Sequence, residues 1–181
     1  MAIRTILCCA VLSCAALVIP GRANAQSDDD KKFLTTVEQA NQDEIAVSEV
    51  AEKKATDPAV KAFAEKMVRE HRLIADDMKP FAEQWGITQP TSPDADHQKE
   101  IDKLNGLSGH DFDKEYIDSM ASDHTKALDA FTKEAKDTKD AKFRTVVLKD
   151  KTRVAAHKNM AYDLKKKLSP ATMPTPPMGV Y

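Results

Sequence analysis

The chain has 181 residues, 31% charged and 41% hydrophobic, with a formal net charge of −2 and only five glycines. Lysines and arginines are scattered among acids rather than gathered, which excludes a nucleic-acid footprint. All three cysteines, Cys8, Cys9 and Cys14, fall near the start of the chain.

Arg4 precedes an apolar run from Ile6 to Ile19, and Pro20, Gly21 and a small-x-small site at Ala23, Asn24 and Ala25 follow. The run is too short for an ordinary membrane span and has the form of an export signal. Residues 1–25 are therefore expected to be cleaved, placing the mature chain in the periplasm with no integral membrane span. The alternative, a lipoprotein anchored at Cys14, is opposed by the apolar sequence that continues from Ala15 to Ile19. Cleavage removes Arg4 and Arg22, taking the net charge from −2 to −4. It also removes every cysteine, so neither disulfides nor thiolate ligands are expected in the mature protein. The remaining residues, about 155, suffice for one core. Much Ala, Lys, Glu and Asp with few aromatics predicts an all-α domain.

Asp28 to Asp30 place negative charge where a first helix begins, favourable against its dipole. That helix is expected to run to about Ala55, with a seam of Phe33, Val37, Ala40, Glu44, Val47 and Ala51 in steps of four and three. Glu44 holds a place where an apolar residue is expected. Thr56, Asp57 and Pro58 form a boundary, Asp57 as cap and Pro58 at the first helical position. The second helix carries Val60, Ala64, Met67, Ile74, Met78, Phe81 and Trp85 on its seam and stops at Gly86. Between Met67 and Ile74 the stripe passes through His71. Pro80 interrupts its last turns and is expected to kink them, while Phe81 and Trp85 close one end of the core.

From Ile87 to Leu107 a long connector is predicted, with Pro90, Pro93 and a short helix around Asp94 to Leu104. A link of that length can run the length of a bundle. His97, within it, reads as solvated, and His110 as exposed. Ser108 and Asp111 have the spacing of a capping box for a third long helix, ending near Lys136, with a seam of Ile117, Met120, His124, Ala127 and Phe131. After a turn at Asp137 to Asp140, the last helix shows Phe143, Val147, Asp150, Val154, His157, Ala161, Leu164 and Leu168. Residues 169–181, with four prolines, are expected to be a disordered tail.

Two internal registers are visible. Phe63 to His71 aligns with Tyr116 to His124, and the hairpin of the first two helices aligns with that of the last two, Asp43-Glu44 falling on Asp123-His124. Two hairpins related by a pseudo-twofold are therefore expected.

The pieces VKAFAEKMVREH at Val60 to His71, KLNGLSGHDFDKEYID at Lys103 to Asp118, MASDH at Met120 to His124, the acid Glu44 and the late His157 resemble the bacterial exported family of domain of unknown function 4142. The resemblance covers about Phe33 to Leu168 and implies a ferritin-like four-helix bundle with a long connector between the second and third long helices. Ferritin-like di-iron sites use Glu-x-x-His pairs, whereas Val68 and Val154 stand three residues before His71 and His157 here. A di-iron oxidase is accordingly not indicated.

Each long helix thus turns one titratable residue inward near its middle: Glu44, His71, His124 and His157. Three imidazoles and a carboxylate suit one divalent transition metal, zinc, manganese, iron or copper. Glu70 and Asp123, each preceding a histidine, are placed to accept hydrogen bonds from neighbouring rings and orient them. The competing reading is a hydrogen-bonded polar layer that binds nothing and fixes helix register. Asp150 is expected to pair with a lysine or a ring nitrogen at another level. Met67, Met120 and Met160, near the histidines, raise a copper(I) variant, although methionine is an ordinary core filler. No protein partner is identifiable from the sequence.

Overall fold

The computed structural model describes residues 27–169, so the expected export signal, the alternative anchor at Cys14 and the tail expected beyond Ser169 lie outside the described residues. Five helices, and among the described residues no strand, make up the fold: α1 (Asp28–Lys54), α2 (Pro58–Trp85), α3 (Ala95–Asn105), α4 (Gly109–Asp137) and α5 (Ala141–Leu168). No helix is long and apolar enough to cross a membrane.

The ends follow local chemistry. Ser27 and Asp30 form a reciprocal capping box on α1, Asp57 accepts from the Ala59 and Val60 amides, and Asp140 accepts from those of Lys142 and Phe143. Gly86 ends α2 at φ 70°, a left-handed conformation that side chains with a Cβ rarely adopt. Pro80 sits inside α2 without ending it. The expected capping box at Ser108 does not form, because Ser108 makes no side-chain bond to the helix start. There Gly109 enters α4 at φ 59°.

The helices form a bundle in which α1 packs on α2, α4 on α5, α2 on α5 and α1 on α4, with the short α3 laid over α1 and α4. The long helices run antiparallel to their long neighbours, whereas α3 runs parallel to α1, Asp94 meeting Asp43 at its start and Leu104 meeting Lys54 at its end. Asp113 near the start of α4 reaches the α1–α2 turn, accepting from the Thr56 amide at 3.0 Å, the Thr56 hydroxyl at 2.6 Å and the Asp57 amide at 2.8 Å. Asp30 at the start of α1 lies beside Thr138 in the α4–α5 turn. The connector carrying α3 therefore spans the bundle from one end to the other.

The hydrophobic interior is split into two clusters. One gathers Val47, Phe63, Met67, Tyr116, Met120 and Leu164. The other gathers Leu34, Ile74, Trp85, Phe131, Phe143 and Val154, with Trp85 and Phe81 against Phe143 at 4.7 and 5.1 Å between ring centroids. Along every long helix a polar residue marks the passage from one cluster to the other: Glu44, His71, His124 and His157, all buried. The seam of α1 is rotated from the expected one. Ala40 is exposed and Phe33 only half-buried, while Leu34, Asn41 and Ser48 face inward, Ser48 meeting the Tyr116 hydroxyl at 2.9 Å.

Candidate metal centre

Three imidazoles from three helices meet between the two clusters. Ring centroids lie 5.4 Å apart for His71 and His124, 5.4 Å for His71 and His157, and 5.2 Å for His124 and His157. One ligating nitrogen of each falls within 4.8 Å of the others.

Hydrogen bonds decide which nitrogens face an acceptor. His71 Nδ1 lies 3.0 Å from Asn41 Oδ1, and His124 Nδ1 lies 2.9 Å from the Met120 carbonyl oxygen. With the Asn41 amide oxygen and the Met120 carbonyl as acceptors, both Nδ1 atoms carry the proton and each neutral ring keeps a lone pair on Nε2. Those two Nε2 atoms stand 3.3 Å apart. His157 is held the other way round: its Nε2 donates to Glu70 Oε2 at 2.8 Å, and its Nδ1, buried, has no hydrogen-bond partner. Lys66, one turn before Glu70, holds the second carboxylate oxygen.

Burial keeps the rings neutral. Desolvation, reinforced by the other two rings, holds His71 well below the ordinary imidazole range. His124 is lowered to about 4 by desolvation and by His157, against the Met120 carbonyl and Asp123. His157 is lowered by desolvation, with Glu70 opposing. Although desolvation works against it, the Glu70 carboxylate is held below its usual range by Lys66 and His157.

Glu44 is buried beside this trio but outside it. Its Oε1 is 3.9 Å from His124 Nδ1, the ring edge that the Met120 carbonyl already occupies, and its Oε2 has no hydrogen-bond partner. Desolvation, then the charges of Asp123, Glu100 and Asp43, push its carboxyl well above the usual range. Glu70 accepts from a ring, as its position suggested. Asp123 does not: it accepts from Lys126 at 2.8 Å and Ser119 at 3.3 Å, because it faces α3 rather than the bundle interior.

Other polar expectations are corrected by tertiary packing. His97 is not solvated; its Nδ1 lies 2.8 Å from Asp94 Oδ1 and 3.2 Å from Asp43 Oδ2, tying the connector to α1. Asp150 pairs with Arg153, which also binds Asp77 at 2.6 Å, rather than with a lysine or a ring. Met67 and Met120 are buried in the apolar cluster and Met160 packs against it. Asn41 escaped the sequence reading. Its only signal was its position three residues before Glu44, on the same face of the helix.

A cleft of about 320 Å³ between α1 and α4 reaches His71 and His124 of the trio. Apolar Val37, Ile74 and Phe131 and polar Asn41, Glu44, His71 and His124 share its lining.

The fold and site define a helical-bundle protein with a buried triad of neutral imidazoles. Residues 19–164 match the family model described as Domain of unknown function (DUF4142), and the chain belongs to that family. Neither the curated proteins nor the solved structures contain a match.

Proposed function

We propose that the chain is an exported metal-binding protein with a ferritin-like four-helix arrangement, in which His71, His124 and His157 hold one divalent transition metal. The observation that carries this reading is the approach of two lone-pair nitrogens, His71 Nε2 and His124 Nε2, to 3.3 Å. With both protons committed elsewhere, nothing on either atom can donate to the other. Nitrogens about 2.0–2.1 Å from a tetrahedral ion stand roughly 3.3–3.4 Å apart, so the spacing suits a shared cation. Supporting it are the carboxylate and carbonyl acceptors behind the rings, the arrangement that orients histidines on metals. Glu44 is the nearest further carboxylate. Export is inferred from Arg4, the Ile6–Ile19 run and Ala23 to Ala25, and a role in envelope stress belongs to the same reading.

A second reading has its own observation. Asn41 Nδ2 is buried without a partner. Turned end for end, the Asn41 amide would donate to His71 Nδ1 and shift the ring proton to Nε2, which could then donate to His124. The triad would then be a metal-free polar layer that fixes helix register.

Metal analysis of protein purified without an affinity tag, followed by thermal unfolding with zinc, manganese, iron or copper, separates the two. Bound metal, or stabilisation by about 2.7 kcal/mol at a hundredfold excess over Kd that His124→Leu abolishes, supports the first reading. No metal and no stabilisation leaves the polar layer.

A further inference from the structure

Beside the triad, across the face that α3 covers, lies a second cavity of about 540 Å³ with a different chemistry. Carboxylates dominate its lining, among them Asp94, Glu100, Glu115, Asp118 and Asp123, with His97 and Lys126. Some of this charge is already matched: Lys103 pairs with Glu115, Lys114 and Lys165 with Asp118, and Lys126 with Asp123. Glu100 pairs with no lysine or arginine among the described residues, His97 being the basic group beside it, and its Oε1 is buried with no hydrogen-bond partner.

Three of these residues converge. His97, Glu100 and Asp123 each offer a ligating atom within 4.8 Å of the other two. His97 is oriented for this, since Asp94 and Asp43 hold its Nδ1 and leave Nε2 free. It repeats the carboxylate-backed arrangement of His157. His97, Asp123 and Lys126 also line the cleft that leads to the triad, so the two cavities adjoin. Within that cleft Glu44, only 6% exposed, has an oxygen without a partner. An acidic surface cavity, an unpartnered buried carboxylate and a neutral imidazole triad therefore follow one another inward.

We propose that His97, Glu100 and Asp123 form a loading site that captures a hydrated divalent cation at the surface and passes it by way of Glu44 to the buried triad. This rests on the metal-binding reading of the triad. Half-buried carboxylate ligands near the surface bind such ions weakly and exchange them fast, whereas three buried imidazoles hold them tightly. An excess of acidic charge in a cavity raises the rate at which a cation is captured, and salt weakens the effect.

Cobalt(II) loading of the full chain tests the proposal, since the visible absorption of the ion reports its arrival among imidazole ligands. The double variant Glu100→Gln, Asp123→Asn keeps side-chain size while removing two charges. It is expected to load about tenfold more slowly, to reach the same final absorption, and to lose most of the salt dependence of the wild-type rate. A control variant, Glu65→Gln, Asp163→Asn, removes the same charge from exposed positions away from the cavity and is expected to load at the wild-type rate. Equal rates for wild type and the double variant, or equal slowing in the control, overturn the loading site while leaving the triad standing. If wild-type protein shows no cobalt absorption at all, the metal-binding reading itself falls, and the loading site with it.

Discussion

His71 and His124 face each other Nε2 to Nε2 at 3.3 Å, and each ring's other nitrogen is bonded to a carbonyl oxygen. A hydrogen bond between neutral rings needs one proton on the shared line. Here the acceptors behind both rings draw the protons away from it. The stability of the bundle comes from the apolar clusters above and below, so this layer costs folding free energy unless something satisfies it.

Glu70 is expected to matter for metal rather than for folding. Its carboxylate fixes the His157 ring with Nδ1 free and lies 81% buried in side-chain terms, linked to Lys66. Glu70→Ala is expected to weaken zinc binding roughly 10–100-fold with helix content unchanged by circular dichroism. An unaltered affinity in competition titrations would remove Glu70 from the account.

Asp113 is expected to be a stability residue. Its buried carboxylate receives three hydrogen bonds from Thr56 and Asp57, closing the α1–α2 turn from α4. Asp113→Ala strands those donors and is expected to cost about 2–4 kcal/mol in urea unfolding. Loss below 1 kcal/mol would mean that water replaces the carboxylate.

The Asp30–Glu134 contact sets a pH dependence. Burial first, and then the neighbouring Asp30 carboxylate, raise Glu134 from 4.5 to about 7, against the attraction of Lys133 on the same helix. The folded state then binds this proton more tightly than the unfolded chain, so the contribution is fully favourable below about pH 4.5 and is lost as pH rises towards 7. Glu134→Gln mimics the protonated form. It is expected to match wild type at pH 5 and to exceed it at pH 8 by on the order of 1 kcal/mol in thermal or urea unfolding. A variant less stable than wild type at pH 8 contradicts the assignment.

The sequence carried the helices because their signals are local. Asp57-Pro58, Gly86 and the three-four spacing of Val60 to Trp85 need no tertiary information. It carried the inward direction of His71, His124 and His157 for the same reason. Partners were harder to see. Asn41 and Asp113 are ordinary polar residues until another helix is laid against them, and His97 became half-buried only when α3 folded onto α1. On α1 the apolar stripe is weak, with Ala40 and Phe33 competing against Leu34 and Ser48, so its rotation was decided by neighbours. Glu44 was correctly turned inward, yet its distance from the ring nitrogens is a matter of side-chain path that periodicity does not contain.

Nitrogen-15 correlation spectra of the histidine rings, recorded while zinc is added, test the central claim most directly. Metal-free protein is expected to show the proton on Nδ1 in His71 and His124 and on Nε2 in His157. One equivalent of zinc is expected to shift the opposite nitrogen of all three rings together. A proton on His71 Nε2, with all three rings unmoved by excess zinc, would contradict a metal centre and leave a structural layer of hydrogen-bonded imidazoles.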